Sequence, residues 1–453
     1  MAKGNKNTTH DEWRKEWEEI KKEGDLVDKL LFYARSEKQV RNEIRKEIPD
    51  VSDLKKSVIE IVRLHHSISE EVKKTGSSIY DEYLKEILKK LEELIMKRRD
   101  HYIIVDFLYE CIDCNPNGDP AMDNQPRLDG NVVTPSKERI KRTSKMGMEW
   151  LGCVGDDKER YALWVSGEAI EPSDRLQNLG LQLKEPNLLM WLSQRCVDAR
   201  LFGATVASKG GGDKGSSQLN WTGPLQVKDG RSVNDVEVIY KMVNAAFASG
   251  EEADQRSFGH QYKVPYALIH TTAVYSPVVA RWNLKKGVVP PSLEDIDLFV
   301  RGLWYGTLNL VSTSKFMHRP VLMVIRMVSE EKFPEELRKS RDMYVTLRRL
   351  FEEKEEKEEK EKIRAEHVKI RVEGGIPEGM DGWKEKLERL VIPDNNGKVV
   401  VLAAGEDGVS KIEGDSFRFG ATEEDKKWEI SVEKKQDRQI ERSAVAISVD
   451  LDR

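Results

Sequence analysis

The first 100 residues show the spacing of apolar positions that is typical of amphipathic helices. Two stripes recur at steps of three and four residues: Leu54, Val58, Ile61, His65, Ile68 and Val72, and then Leu84, Ile87, Leu88, Leu91, Leu94 and Ile95. Such a stripe buries one face of a helix against other helices. Residues 1–100 are therefore predicted to form an all-helical region, as a small bundle or an array of helical hairpins.

The pattern changes near residue 101, where "HYIIVDFLYECI" is rich in β-branched and aromatic side chains and predicts a buried strand. Further strands are predicted in residues 161–169, 265–280, 319–329, 367–375, 398–404 and 443–450, and helices in 136–151, 197–204, 293–310 and the charged run 351–366. Strands and helices in this order favour an α+β fold with an antiparallel sheet.

Composition narrows the class of protein. Of the 453 residues, 38% are hydrophobic and 34% are charged, and the net charge is −5, so any nucleic-acid site has to be a local basic surface. No apolar run is long enough to span a membrane, and no membrane partner is expected. Four cysteines in so long a chain do not suggest a disulfide scaffold, so a reducing cytoplasm is the expected location.

The stretch "CIDCNPNGDPAMDNQPRLDGNVVTPSKERIKR", residues 111–142, concentrates the candidate chemistry. Cys111 and Cys114 have the spacing of a zinc or redox pair, but no second pair of ligands follows, which favours two small apolar side chains at a strand end. The nearby aspartates do not match a calcium-binding loop and suit turns, although a single one could serve metal-assisted cleavage. They are Asp113, Asp119, Asp123 and Asp129. We expect no metal and no cofactor.

The helix that follows this loop carries more specific signals. Lys137, Lys141 and Lys145 fall at i, i+4 and i+8 and form one stripe. A different face, suited to packing on a sheet, carries Ile140, Thr143, Gly147, Trp150 and Leu151. A basic face of this kind can lie along phosphates. A solvated face of lysines explains the spacing equally well, and the sequence alone leaves both interpretations open.

Three later segments mix aromatic and cationic residues: "GPLQVKDGRSVN", "FGHQYKVPYALIH" and "VSTSKFMHRPVL". Surfaces that bind single-stranded nucleic acid combine the same residue types, because bases stack on rings and phosphates pair with cations. Each segment alone is a weak signal. The chain has no phosphate-binding P-loop, no dinucleotide-binding glycine pattern after a strand and no nucleophile elbow, which disfavours nucleotide hydrolysis and acyl transfer.

Taken in order, several motifs resemble the backbone subunit of type I CRISPR surveillance complexes (Cascade), of the Csh/Csd type found in subtypes I-B and I-C. The resemblance spans about residues 101–330. Its motifs are "NPNGDP", "DNQPRLDG", "VVTPSKERIKR", "DARLFGA", "GPLQVKDGRSVNDVE", "HQYKVPYALI" and "LWYGTLNLVSTSK". It implies an RRM-like (ferredoxin-like) palm with finger and thumb insertions. Residues 1–100 then form a helical extension, and residues 331–453 supply a charged helix and strands that complete the palm or form an accessory subdomain.

The resemblance also implies a role. Copies of the family polymerise as a helical filament along a CRISPR RNA, join other Cascade subunits and meet target DNA through guide pairing, and they are generally not enzymes. The segment around Lys209–Trp221 would be the thumb. The RNA contacts implied are Asn115, Asn117, Arg127, Ser136, Lys137, Arg139, Lys141, Arg142, Lys209, Lys214, Trp221, Arg231, Ser232, Tyr262, Lys263, Ser314 and Lys315.

Two other functions remain open from the sequence. Related backbone subunits of type III complexes cut target RNA with a loop aspartate and a metal ion, and Asp119, Asp123 or Asp129 could take that place. The chain could also be an RNA binder that does not assemble. The leading expectation is a non-catalytic subunit that binds CRISPR RNA, because several motifs in the right order are more specific than any single one.

Overall fold

The protein is described by a computed structural model that covers most of residues 10–373 and 399–451. Outside the described part lie residues 1–9, 37, 49, 52–53, 55, 57, 75–81, 97–99, 115–127, 155–160, 166–170, 183–186, 208–217, 245–257, 310–317, 358–367, 374–398, 406–407, 415, 422–427, 437–438 and 452–453. None of the helices in the described part is long and apolar enough to cross a membrane.

The described helices are α1 (His10–Glu23), α2 (Leu26–Arg35), α3 (Lys38–Ile44), α4 (Val58–Lys74), α5 (Glu82–Met96), α6 (Lys137–Trp150), α7 (Pro172–Asn178), α8 (Leu188–Arg195), α9 (Val197–Phe202), α10 (Pro277–Leu284), α11 (Leu293–Asn309) and α12 (Phe333–Lys357), with a 3-10 turn at Arg45–Glu47.

The described strands are β1 (Tyr102–Cys114), β2 (Leu128–Asp129), β3 (Val132–Val133), β4 (Gly203–Ala207), β5 (Gln218–Thr222), β6 (Leu225–Val227), β7 (Arg231–Ser232), β8 (Ile239–Asn244), β9 (Phe258–Tyr275), β10 (His318–Val328), β11 (Val368–Glu373), β12 (Val399–Gly405), β13 (Gly408–Gly414), β14 (Ser416–Ala421), β15 (Trp428–Gln436) and β16 (Gln439–Leu451). Strand was also predicted in residues 161–169, but residues 161–165 form only a single bridge, at Ala162.

The chain divides into two compact units, and the first contains the helices of the N-terminal region. This unit comprises residues 1–100, 164–224 and 277–291. The apolar stripes of α4 and α5 are buried in a core that also includes Met190, Leu284 and Val289. The unit is thus larger than the helical extension expected from the sequence. Helical periodicity shows which face is buried but not which distant segment covers it.

The second unit comprises residues 101–163, 225–276 and 292–453, and it contains the main sheet. The strand order is β13-β12-β10-β1-β9-β6, with β7 and β8 also paired to β9, and the described pairings are antiparallel. A second antiparallel sheet has the order β11-β16-β15-β14. The predicted α+β class with an antiparallel sheet is confirmed. β1 is central because its run of apolar residues is buried on both faces.

Helices α6 and α11 pack against each other through glycines. A Cβ atom added at Gly147 would lie 1.8 Å from the carbonyl oxygen of Gly302, and one added at Gly306 would lie 2.1 Å from the carbonyl oxygen of Thr143. The predicted packing face of α6 is therefore partly wrong. Ile140 and Gly147 are buried, but Trp150 is 50% exposed, because glycine-mediated contact with a helix sets the rotation of α6.

A polar network is buried in the sheet around Asp106 on β1. Its carboxylate pairs with Arg326 of β10 and accepts hydrogen bonds from Thr272 Oγ1 and Ser340 Oγ, both at 2.8 Å, while His270 Nε2 lies 3.3 Å from Oδ1. Burial alone would raise the pKa of Asp106. The charge of Arg326 and the contacts with His270 and Ser340 outweigh burial and lower the pKa to about 2. Asp106 is therefore a buried carboxylate that stays charged.

The glycine contact yields a stability prediction. Gly147→Ala gains about 1 kcal/mol of helix propensity. The added methyl group meets backbone of α11, so α6 and α11 have to separate, and overpacking of this kind costs about 1–3 kcal/mol. We expect a net loss of unfolding free energy, measured by chemical denaturation. The exposed change Glu149→Ala serves as the control and should stay within about 0.5 kcal/mol of wild type. A Gly147→Ala protein as stable as wild type would show that the two helices are not in contact.

The Asp106 network yields a prediction with a defined pH window. Asp106→Asn removes one of the two carboxylates that pair with the buried Arg326 guanidinium, the other being Glu336, and breaking a buried pair typically costs about 3–5 kcal/mol. Because the folded pKa of Asp106 lies below its ordinary value, its stabilising contribution is present above about pH 4 and is lost as the pH falls towards 2. The difference in unfolding free energy between wild type and Asp106→Asn should therefore shrink from pH 5 to pH 2. A difference that stays constant across this range would contradict the assignment.

Candidate nucleic-acid interface

Residues 228–236 form hydrogen bonds with the start of α6 and with β3, the strand before it. Ser232 Oγ accepts the backbone N–H of Val133 at 3.1 Å. The backbone N–H of Gly230 donates to the carbonyl oxygen of Pro135 at 2.8 Å, and that of Val236 donates to Asn131 at 2.8 Å. Two stretches about 100 residues apart in sequence thus form one surface. We call residues 228–236 the supporting segment.

The first turn of α6 is capped from within the protein. Ser136 is the N-cap residue, and its Oγ accepts the backbone N–H of Arg139 at 3.4 Å. The carboxylate of Asp229, in the supporting segment, accepts the backbone N–H of Lys137 at 2.7 Å. Both of these N–H groups already have an oxygen partner. A phosphate at this helix would therefore be bound by side chains rather than by these backbone groups.

The predicted stripe of lysines on α6 needs correction. Lys137 and Arg142 are exposed, but the side chain of Lys141 is only 12% exposed and pairs with Glu138 Oε1 at 3.0 Å. Lys145 is half-buried. Sequence spacing placed three lysines on one face, but it gave neither the rotation of the helix nor the pairing with Glu138. The cations that face solvent are Lys137 and Arg142, and Arg139 is half-buried beside them.

The supporting segment adds two cations to this surface. Lys228 is exposed. Arg231 is half-buried, and its Nη2 donates to Asp129 Oδ2 at 2.8 Å, so this guanidinium already has a carboxylate partner. Across the described residues, no group of three or more His, Cys, Asp or Glu side chains has the geometry to hold a metal ion. Asp119 and Asp123, the other loop carboxylates considered for cleavage, lie outside the described residues.

Two predicted RNA contacts are buried. Trp221 on β5 is 5% exposed, so its ring is not presented to solvent. Ser232 is fully buried, and its hydroxyl is engaged by Val133 and by the carbonyl oxygen of Asn234. Neither side chain belongs to the solvent-facing surface. Ser232 instead joins the supporting segment to β3.

Strands β8 and β9 form a ribbon that carries two further predicted residues. Tyr262 and Lys263 are half-exposed on β9. The ring of Tyr262 packs edge-on against Tyr240 of β8, with centroids 5.3 Å apart, and Tyr240 is 50% exposed. Sequence reasoning missed Tyr240, although it lies in "VEVIYKMVN", whose apolar residues are typical of a strand. The ribbon thus offers an aromatic pair on one face, while Lys263, the next residue along β9, lies on the opposite face with Ile239.

The end of β1 that leads into the loop at residues 115–127 has its own polar side chains. Glu110 Oε1 pairs with Arg319 Nε at 2.6 Å across the β1–β10 register. Burial raises the pKa of the Tyr266 hydroxyl, and the nearby Glu110 carboxylate raises it further, so Tyr266 stays neutral. Cys111, on the same strand, is buried.

Seven predicted contacts lie outside the described residues. They are Asn115, Asn117, Arg127, Lys209, Lys214, Ser314 and Lys315. The described part of the interface therefore consists of α6, the supporting segment and the β8–β9 ribbon. The exposed cations lie on α6 and the supporting segment, which are hydrogen-bonded to each other. The aromatic pair lies on the β8–β9 ribbon.

The chain is similar to a curated protein and to chains of solved structures. A protein of Haloferax volcanii described as CRISPR-associated protein Cas7 is 26% identical over an alignment of 182 residues, with 34% of this chain and 49% of that relative covered. The chain thus spans about half the length of this curated relative. Two solved chains are also similar, one of a CRISPR RNA-guided surveillance complex and one of such a complex in a pre-nicking state. They are 14% and 12% identical, with TM-scores of 0.28 and 0.31, over 50% of this chain and 68% and 78% of theirs.

The family assignment rests on a longer match. The model of the family described as CRISPR-associated protein Cas7 matches residues 101–372, more than half of the chain. This span includes β1, α6, the supporting segment, the β8–β9 ribbon and α12. The resemblance seen in the sequence motifs is confirmed at the level of the family. The chain belongs to the Cas7 family of CRISPR-associated proteins.

Proposed function

We propose that the protein binds CRISPR RNA as a backbone subunit of a type I surveillance complex. The observation that carries this proposal is a set of exposed cations on α6 and on the supporting segment beside its first turn. Lys137 and Arg142 on α6 and Lys228 on the segment face solvent. The hydrogen bonds from Lys137 to Asp229 and from Gly230 to Pro135 join the two elements. Membership of the Cas7 family supports the choice of RNA as the polyanion.

Cations of this kind contact phosphates and read no bases. Binding is then independent of sequence, and specificity comes from the bases that the guide presents to target DNA. The pair of Tyr240 and Tyr262 offers rings on which a base could stack. The protein thus supplies backbone contacts and a platform, and the guide supplies the recognition.

The same proposal includes the palm fold, the assembly of copies, the partners and the lack of a catalytic step. The main sheet would be an RRM-like palm with thumb and finger insertions, and copies would join head to tail along the guide as a filament whose contacts do not close. Other Cascade subunits and target DNA would be partners, in a cytoplasmic complex of the I-B or I-C kind. We propose no catalytic step. The one candidate carboxylate in the described loop, Asp129, already binds Arg231.

The proposal predicts the salt dependence of RNA binding. In the double variant Lys137→Ala/Arg142→Ala, two phosphate contacts are lost. The slope of log K against log salt should become shallower by about 1.4, since each contact on a single strand contributes about 0.7. Affinity should fall to a similar extent for unrelated RNA sequences. Fluorescence anisotropy with labelled RNA across a series of salt concentrations measures both quantities.

The matched control removes one lysine and one arginine elsewhere in the same unit. Lys332 and Arg338, the latter on α12, are exposed, and Lys332→Ala/Arg338→Ala makes the same change in net charge. This variant should keep the wild-type slope. Equal losses in both double variants would mean that only net charge matters, and the assignment of the interface to α6 would be wrong.

A further inference from the structure

Helix α12 carries polar side chains at every fourth position on the face that meets the sheet. Ser340, Tyr344 and Arg348 are spaced by four residues and so lie on one side of the helix. Met343 and Leu347 are buried, which places this side of α12 against the protein. Polar groups on a packed face are matched with specific partners.

The N-terminal half of α12 is anchored on the sheet. Phe333 stacks on Tyr102 at the start of β1, with ring centroids 3.8 Å apart. Two turns along the helix, Ser340 Oγ donates to Asp106 and accepts from Arg326 at 2.5 Å. These contacts fix both the position of α12 along β1 and its rotation. They therefore determine where the next two polar residues point.

The next two polar residues contact the supporting segment. The hydroxyl of Tyr344 donates to the carbonyl oxygen of Ser232 at 3.3 Å. The guanidinium of Arg348 binds the carboxylate of Asp235 and donates to the carbonyl oxygen of Val233 at 3.5 Å. Arg348 is one-fifth exposed, so water competes little for its hydrogen bonds. α12 thus adds contacts to a segment that is also bonded to β9, where Arg231 and Ser232 pair with His270 and Ile269 and the Asn234 side chain accepts the backbone N–H of Leu268.

We propose that Tyr344 and Arg348 are positioning residues for RNA binding, a role that rests on the proposed function. They act through the supporting segment, which holds β3 through Ser232 and the first turn of α6 through Asp229. Loss of Arg348 removes the contacts of α12 with Val233 and Asp235. The pairing with β9 remains, but the segment is held less firmly, and the spacing between the cations at Lys137 and Lys228 varies more. Phosphates are spaced regularly along RNA, so fixed spacing between cations strengthens binding without any added charge.

The test combines amide hydrogen exchange in the free protein with RNA affinity. In Arg348→Ala, exchange should speed up by about tenfold in peptides covering residues 128–137 and 228–236, equivalent to about 1.4 kcal/mol of local opening. The dissociation constant for RNA should rise by a similar factor. Tyr344→Phe removes only the bond to Ser232 and should give a smaller change of the same kind. Arg348→Lys keeps the pairing with Asp235 but not the second hydrogen bond, and should restore part of the loss.

The matched control is Arg301→Ala, which removes a similarly half-buried pair with Asp297 on α11. Exchange in the supporting segment and RNA affinity should stay within about twofold of wild type in this control. Its melting temperature should change by as much as that of Arg348→Ala, so that the two variants are compared at equal stability. If Arg348→Ala behaves like Arg301→Ala in both readouts, the positioning role is wrong. If wild type binds no RNA, the proposed function is wrong, and the exchange data alone still decide whether α12 orders the segment.

Discussion

The buried pair between Asp106 and Arg326 is the interaction on which the second unit depends. Both side chains are almost completely buried between neighbouring strands, where an uncompensated charge would be strongly destabilising. The pair is completed by hydroxyl groups from β9 and from α12. A helix that brings one of these hydroxyl groups can dock on the sheet in only one register. The network therefore acts as a positional anchor as much as a source of stability.

Two contacts determine the positions of the cations at the interface: the Asp106 network and the glycine contact between α6 and α11. Glycines on α6 and α11 set the rotation of α6, so Lys137 and Arg142 face solvent while Lys141 turns towards Glu138. The supporting segment lies between α6 and α12 and has hydrogen bonds to both. In a chain with a net charge of −5, an anion site has to be made by placement of a few cations rather than by bulk charge. Here the packing of α6 on α11 and the hydrogen bonds of the supporting segment fix where these cations lie.

Sequence reasoning predicted the elements well and the side-chain directions less well. β1, β10 and α11 were predictable because long runs of apolar residues with a clear period leave few alternatives. Trp221 was predicted as an RNA contact by resemblance, as part of the thumb segment, yet its ring is buried on β5. The roles of Asp229 and Arg348 had no sequence signal, since each depends on a partner about 100 residues away. Local pattern gives secondary structure, but the register between distant elements decides which polar groups meet.

The central claim is that this protein holds a CRISPR guide through its backbone. The most direct measurement is the sequencing of RNA that copurifies with the untagged complex from cells carrying a CRISPR array. We predict discrete RNAs bounded by repeat sequence, with varied spacers, because phosphate contacts do not select bases. Recovery of random cellular fragments in proportion to their abundance, or of no RNA at all, would contradict the account.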